Sequence, residues 1–167
     1  VVDGAGRMGL LMNQQTQYVK IRVLSKTYAT SVITPLKKYH KLKYSKEFII
    51  KNTQVTKDDN IKWLDNVVDI YKRKGECINV GETCEFKYKR NNKKSNYWCQ
   101  IYCSDMENPL TIHDCRYLGE CYIKWDSNDD SLDVVDQVTF NECMEIVSFP
   151  QNNPNNKAKV IINYEWK

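Results

Sequence analysis

Short stretches in which apolar and polar residues alternate recur along almost the whole chain. Residues 16–24 show the pattern well, because Val19, Ile21 and Val23 fall on one side of an extended backbone and mostly basic or amphipathic residues fall on the other. Similar stretches follow at residues 28–34, 47–50, 66–71, 83–90, 97–103, 119–125, 132–140, 144–149 and 158–166. Clusters of Asn, Asp, Ser and Pro separate many of them, as turns do. A chain with so many half-buried strands must pair them into sheets.

The size and composition of the chain fit one β domain. It has 167 residues, of which 41% are hydrophobic, enough for one core but not for two large domains. We therefore predict an all-β fold, an antiparallel immunoglobulin-like β-sandwich stapled by disulfides, over residues 16–167. Residues 1–15 are predicted to form a leading segment or linker. The best helical pattern is residues 58–67, where Ile61, Leu64 and Val67 share one face after Asp58 as a candidate cap.

The strands at residues 83–90 and 97–103 are predicted to form a hairpin around the polar turn between them. A register centred on residues 92–95 would place three pairs of residues opposite each other: Cys84 with Cys103, Phe86 with Ile101, and Tyr88 with Cys99. One cross-strand disulfide is compatible with this arrangement, since only certain opposed pairs bring two sulfur atoms within bonding distance.

All seven cysteines lie between residues 77 and 143, which indicates local chemistry. Zinc sites use close cysteine pairs, whereas the gaps here hold 6, 14, 3, 11, 5 and 21 residues, and His40 and His113 lack ligand spacing. Disulfides in an oxidising compartment explain the cluster better than zinc, so we predict three disulfides and one unpaired cysteine, with the connectivity open. The structural disulfide candidates are Cys77, Cys84, Cys99, Cys103, Cys115, Cys121 and Cys143.

Gly4, Gly6 and Gly9 fit the G-x-G-x-x-G pattern with which a backbone approaches a dinucleotide pyrophosphate. A dinucleotide-binding unit also needs a helix of several turns after the motif and an acidic residue about 20 positions further on. No Asp or Glu occurs between Asp3 and Glu47, and the segment after Gly9 is short for such a helix. We predict no cofactor at this motif.

Charge is distributed unevenly along the chain, and the N-terminal half is basic. Residues 1–76 carry 15 Lys and Arg against 7 Asp and Glu, whereas residues 126–167 carry 3 against 8. A basic interaction face is predicted in the first of these regions, at Lys37, Lys38, Lys41, Lys43 and Lys46. Nucleic acid, a polyanionic glycan and an acidic lipid surface all fit such a face, although most lysine runs are solvated loops or edge strands. A disulfide-bearing domain argues against nucleic acid as the partner.

The sequence offers no coherent catalytic or metal site. A hydrolase of the Cys/His or Ser/His kind needs a base, and His113 lies in a loop-like segment that we interpret as structural. The acidic stretch 126–136 lacks the order of an EF-hand, its central Gly and its closing Glu. We interpret this stretch as a solvated turn followed by a strand with Asp133 and Asp136 on its wet face. The chain is thus predicted to be non-catalytic, without a metal ion.

Residues 78–115 resemble the last, immunoglobulin-like domain of the eukaryotic gamete fusogen family, the class II fusion proteins also called hapless or generative-cell-specific proteins. The matching features are Phe86-Lys87, the Lys-Tyr-aromatic-Cys strand at residues 94–102, and Asp114-Cys115. The abundance of Asn and Lys suits a malaria-parasite member. The cysteine spacing at residues 115–123 and 140–143 also resembles the ectodomains of poxvirus membrane-fusion subunits.

The resemblance implies a role in gamete fusion without catalysis, in which this domain folds back along a trimer core. The implied partners are other domains and subunits of a fusogen trimer, and fusion-blocking antibodies, and the domain would meet a membrane only through the anchor of the parent protein. The implied location is the extracellular side of the plasma membrane. The alternative is a cell-surface or viral recognition module that binds a host receptor or cytokine through its basic face.

Overall fold

Antiparallel strands make up most of the computed structural model, which describes residues 21–56, 60–90, 96–126 and 129–165. The predicted leading segment 1–15 and the glycine motif at residues 4–9 lie outside these ranges. Eleven strands are present in the described ranges: β1 Ile21–Val23, β2 Thr27–Pro35, β3 Thr53–Val55, β4 Lys62–Lys72, β5 Cys77–Asn79, β6 Glu82–Lys89, β7 Tyr97–Ser104, β8 Arg116–Ile123, β9 Asp133–Phe140, β10 Met144–Pro150 and β11 Ala158–Ile162. Two short helices, α1 His40–Lys43 and α2 Lys46–Asn52, separate β2 from β3, and a 3-10 turn, Ile112–Asp114, precedes β8.

The strands form two main sheets and one small sheet. The larger sheet has the order β3-β4-β2-β7-β8, the second has the order β11-β10-β9-β6, and β1 pairs with β5. All neighbouring strands run antiparallel. The structure thus confirms the predicted all-β antiparallel sandwich.

The main core lies between the two large sheets, and both contribute to it. Tyr28, Tyr71 and Ile101 come from the five-stranded sheet, whereas Phe140 and Ile146 come from the four-stranded one. A smaller cluster around Tyr44, Leu64 and Val67 lies where the helices contact β4. Burial of these apolar faces against each other is the main favourable contribution to folding.

The predicted hairpin between the strands at residues 83–90 and 97–103 is wrong. Both strands exist, but β6 pairs with β9 in one sheet and β7 pairs with β2 and β8 in the other. The two strands therefore belong to different sheets, and the predicted pairing of Cys84 with Cys103 does not form. On the inner side of β6, the Phe86 ring packs against Tyr71 of the facing sheet, with ring centroids 4.8 Å apart. The placement of β6 and β7 in different sheets therefore buries an apolar face of β6 that a hairpin would leave without a partner.

Two further predictions of local structure are also wrong. Residues 47–50, predicted as a strand, belong to α2, whose start is capped by the Ser45 hydroxyl accepting from the Phe48 N–H at 3.1 Å. The described part of the predicted helix 58–67 lies mostly in β4 instead. Asn60 and Asn66 there have φ values of 53° and 59°, in the left-handed region that no α-helix contains.

Candidate functional site

The lysine-rich segment between β2 and β3 forms one helical excursion from the sandwich. We call its six lysines the lysine face: Lys37, Lys38, Lys41, Lys43, Lys46 and Lys51. All six side chains belong to exposed residues. With Glu47 as the single acid among residues 36–52, the segment carries a net charge of 6 − 1 = +5, compared with +4 for the whole chain. The structure therefore places the five lysines predicted as a basic face, and Lys51 of the same sequence run, on one exposed helical segment.

A row of four aromatic rings connects the two helices of this segment to the turn that precedes β8. His40 and Tyr44, the buried residues at the start and just after the end of α1, have ring centroids 5.9 Å apart. Tyr44 stacks on Phe48 of α2 at 5.3 Å, and the Phe48 ring meets the edge of His113 at 6.3 Å. The interpretation of His113 as a structural residue agrees with this contact. Rings packed in sequence hold both helices in fixed positions relative to the sheet.

Helix α2 is also tied to the sheet by a chain of amide hydrogen bonds. The Asn52 side chain donates to the Phe48 carbonyl oxygen at 2.8 Å, and its own oxygen accepts from the Asn66 side chain at 2.7 Å. Asn66 lies in a bulge of β4, where the pairing with β2 shifts register. Asn66 adopts a left-handed backbone conformation, which asparagine tolerates better than most residues, and its side chain anchors the helix from the bulge.

The lysine face is distinguished by its lack of ion pairs with the residues that the structure describes. Within the described ranges, no carboxylate forms an ion pair with any lysine of the lysine face. Burial, and then the charges of Lys43 and Lys37, lower the pKa of His40 below its usual value. His40 accordingly accepts a hydrogen bond at Nδ1 from the Lys37 backbone N–H, at 2.9 Å, as a neutral imidazole does.

Two apolar side chains of the same segment are also exposed, and this exposure was not predicted from the sequence. Leu42 is 92% exposed and Ile50 is 79% exposed, the highest values among the large hydrophobic residues of the described chain. Each lies on the solvent side of its helix, since α1 buries His40 and α2 turns Phe48, Ile49 and Asn52 inward. The helical periodicity around Ser45, Phe48 and Asn52 is the signal that could have predicted this exposure.

The cysteines are distributed over several elements and do not form a common site. All seven are free thiols in the structure, so the predicted disulfides are not confirmed and stay a prediction. Cys99 of β7 and Cys121 of β8 are register partners, the only opposed cysteine pair among the strands that the structure describes. Cys103 on β7 and Cys115 before β8 line one cavity, whereas Cys77 on β5, Cys84 on β6 and Cys143 between β9 and β10 lie on other elements.

A buried carboxylate, Asp136 of β9, lies in the core between the sheets. Its Oδ1 accepts from the Ser148 hydroxyl at 2.6 Å, and its Oδ2 accepts from the hydroxyls of Tyr71 and Tyr97 at 3.0 and 3.1 Å and from the Cys99 thiol at 3.2 Å. Ser148 belongs to the same sheet as Asp136, whereas Tyr71, Tyr97 and Cys99 belong to the opposite sheet. This Asp136 network therefore joins the two layers by hydrogen bonds.

The prediction that Asp136 lies on the wet face of its strand is wrong. Asp136 is 0% exposed and shares the inner face of β9 with Val134, Val138 and Phe140, whereas Asp133 is exposed as predicted. Burial raises the pKa of Asp136, and the hydrogen bonds from Ser148, Cys99 and the two tyrosines oppose that shift. The same burial places Asp136 away from any surface on which a ligand binds.

Within the ranges that the structure describes, no three potential metal ligands of the His, Cys, Asp or Glu type converge. None of the helices in those ranges combines the length and the hydrophobicity that crossing a bilayer requires.

No protein-family model matches the sequence, and neither does any curated protein.

Proposed function

We propose that this domain is a non-catalytic recognition module that binds a negatively charged partner surface through the lysine face. The concentration of charge carries this proposal. Residues 36–52 hold a net charge of +5, so the remainder of the chain has 4 − 5 = −1. Much of the positive charge is therefore concentrated in one excursion, while the rest of the chain is close to neutral in sum.

The way in which the lysines are held supports binding over simple solvation. Six like charges on a short segment repel one another, and only Glu47 lies among them to reduce that repulsion. The aromatic row and the contact of Asn52 with Asn66 keep the segment in place despite this cost. A partner that brings negative charge to the face relieves the repulsion and needs little rearrangement of the domain.

Both histidines and the buried acid have structural surroundings, which supports a role without catalysis. His40 and His113 are members of the aromatic row beneath the lysines. Asp136 has four donors around it inside the core. A catalytic acid or base has to reach a bound substrate, and Asp136 lacks the exposed surface for that contact.

The experiment compares two variants with the same change of net charge on a heparin column, with heparin as a generic polyanion. The test variant reverses three charges of the lysine face: Lys37→Glu, Lys38→Glu and Lys41→Glu. The control variant reverses three exposed lysines elsewhere: Lys87→Glu, Lys124→Glu and Lys157→Glu. Each has a net charge of 4 − 6 = −2.

We expect the test variant to lose retention at low salt, whereas the control variant keeps most of it. Contacts between exposed charges are screened over about 10 Å at 0.1 M salt, so elution of the wild-type protein should also depend steeply on salt. Equal loss in both variants would show that total charge, and not the lysine face, governs binding, and would refute the proposal.

The gamete-fusion role implied by the resemblance remains a second candidate. The observed antiparallel sandwich agrees with the fold expected for such a domain, although one fold serves many functions. In this interpretation the domain moves as a rigid body on the extracellular side of the membrane, its partners are the subunits of a fusogen trimer, and antibodies that hinder its movement block fusion.

The two candidates are separated by reversing Lys37, Lys38, Lys41 and Lys43 in the full-length parent protein. Cell attachment and lipid mixing are scored separately. If the domain is a recognition module, the charge-reversed protein loses attachment. If it is a fold-back domain, the charge-reversed protein keeps attachment, and lipid mixing is lost only when the whole domain is removed. Loss of attachment with an intact fold would contradict the fusogen interpretation.

A further inference from the structure

We infer that the partner of the lysine face is the surface of an anionic lipid bilayer, into which Leu42 and Ile50 insert. This inference rests on the proposed function and names the class of partner. It departs from the expectation that the domain meets a membrane only through the anchor of a parent protein. Two observations carry it together: the uncompensated positive charge and the exposed apolar side chains within the same 17 residues.

Leu42 and Ile50 do not support the fold from their positions. A single exposed apolar side chain is ordinary on a protein surface. Here the two most exposed ones of the described chain occur eight residues apart, each on the solvent side of a helix whose opposite side is packed. Tyr39, which is 54% exposed, adds an amphipathic ring to the same segment. This combination of Lys, aliphatic and aromatic residues is typical of helices that lie in the plane of a bilayer interface.

A bilayer satisfies both kinds of side chain, and other polyanions satisfy only one. A glycan or a nucleic acid backbone neutralises lysines but leaves Leu42 and Ile50 in water. An anionic bilayer attracts lysines to its headgroups and offers hydrocarbon about 5–10 Å below them. Lysine side chains are long enough to keep their ammonium groups at the headgroups while the aliphatic side chains insert. The combination of lysines with exposed aliphatic side chains therefore favours a lipid bilayer over other polyanions as the partner.

The surface is preorganised for this contact. Ser45 caps α2, Asn52 fixes its end to the bulge of β4, and Phe48 packs beneath it. Both helices are short, at 4 and 7 residues, so their stability comes from this packing more than from helix propensity. Binding is therefore expected to leave the circular dichroism spectrum of the domain unchanged, unlike the binding of a peptide that folds on the membrane.

The experiment measures co-sedimentation of the full chain with large vesicles in about 0.1 M NaCl. One set of vesicles is pure phosphatidylcholine, and the other contains about 30% phosphatidylserine. The apolar variant combines Leu42→Ser with Ile50→Ser. The matched control combines Ile161→Ser with Met106→Ser, which are 55% and 51% exposed and lie outside the excursion. Heparin retention is measured for all proteins as a probe of charge alone.

We expect the wild-type protein to bind the anionic vesicles and not the neutral ones. The apolar variant should lose about tenfold or more in partitioning to anionic vesicles, since it can no longer insert two aliphatic side chains. Its heparin retention should remain unchanged, and so should both properties of the matched control. Each lysine reversed should reduce vesicle partitioning by about fivefold or more.

The other outcomes separate this inference from the proposed function. Retention on heparin without binding to anionic vesicles would overturn the lipid inference and leave the recognition module standing. If the apolar variant binds anionic vesicles as well as the wild type does, the inference that Leu42 and Ile50 insert into the bilayer would be overturned. Absence of binding to both heparin and vesicles would overturn the inference and the proposed function together. Because both substituted side chains are exposed, near-ultraviolet circular dichroism of the apolar variant should match the wild type.

Discussion

Replacing Asp136 tests whether a buried carboxylate joins the two sheets. In the Asp136→Ala variant, three hydroxyls and one thiol lose the oxygen atoms to which they donate. Leaving a buried donor without an acceptor costs about 1–3 kcal/mol. Tyr71 and Ser148 keep weak sulfur contacts, to Cys99 at 3.5 Å and Cys121 at 3.3 Å, so the costs do not add in full. We expect the free energy of unfolding to fall by about 3–5 kcal/mol.

The Asp136→Asn variant keeps the shape of the side chain and one acceptor oxygen. The hydroxyls of Ser148, Tyr71 and Tyr97 can also accept hydrogen bonds, so the amide finds partners after small rotations. We expect a loss of about 1–2 kcal/mol at neutral pH. The control is Asp133→Asn in the same strand, because Asp133 is exposed and its carboxylate lies 3.9 Å from Lys89, and its change should stay within about 0.5 kcal/mol.

The cost of Asp136→Asn should also depend on pH. Burial raises the pKa of Asp136 above the ordinary value of 3.8, so between these two pKa values the folded state binds more protons than the unfolded state. The stability contributed by Asp136 is therefore present at low pH and is lost as pH rises through its folded pKa. Asn does not titrate, so its cost relative to the wild type should be largest at the acidic end and smaller at neutral pH.

Urea unfolding followed by tryptophan fluorescence measures these differences. If the free energy of unfolding falls by about 2 kcal/mol for each molar increase in urea, the urea midpoint of unfolding should be about 2 M lower for the Asp136→Ala variant than for the wild type. If Asp136→Ala does not fold, the Asn variant still tests the network. Equal stabilities for the Asp136→Asn and Asp133→Asn variants across pH would refute the reasoning, because an exposed carboxylate behaves in that way.

Three further predictions follow from other contacts. Burial, and then nearby lysine charges, lower the pKa of His40, so the folded state resists protonation of this side chain. The free energy of unfolding should therefore fall as pH drops below 6.5, the ordinary pKa of histidine, and the His40→Gln variant should lose that dependence in urea titrations. Arg90→Lys should cost about 1–3 kcal/mol by thermal unfolding, since the guanidinium lies 3.8 Å from the Trp125 ring centroid and donates to backbone carbonyls. In protein folded in an oxidising compartment, non-reducing peptide mapping should show Cys99 linked to Cys121, and a map that links other cysteines while leaving this pair reduced would contradict the register.

The positions of most strands could be predicted from the sequence because half-buried strands alternate apolar and polar residues. The pattern around residues 28–34, 132–140 and 144–149 matches β2, β9 and β10 closely. Which strands pair could not be predicted in the same way. Adjacent strands with a polar turn suggested a hairpin, yet β6 and β7 lie in different sheets, since pairing depends on the faces that distant strands offer.

The segment from β2 to β4 shows how short-range patterns mislead when tertiary contacts decide. Residues 47–50 contain Phe and two Ile, which favour strands, but the Ser45 cap and the packing of Phe48 beneath the lysine face make them helical. The group of lysines could be recognised because charge is visible in the sequence, and its role as an interaction face stays a prediction. Its apolar tips were not predicted, because exposure of Leu42 and Ile50 depends on which side of each helix is packed.

Asp136 shows that the position of a residue in the alternating pattern of a strand predicts its burial better than its charge does. Asp133 and Asp136 are three residues apart, so a strand with a period of two must place them on opposite faces. Grouping them together because both are acidic led to the wrong face, whereas parity alone places Asp136 with Val134, Val138 and Phe140 in the core. A buried acid there requires donors from the facing sheet, and Tyr71, Tyr97 and Cys99 provide them. Hydrogen bonds of a buried carboxylate thus join the two sheets, and Cys99 takes part in them as a thiol donor.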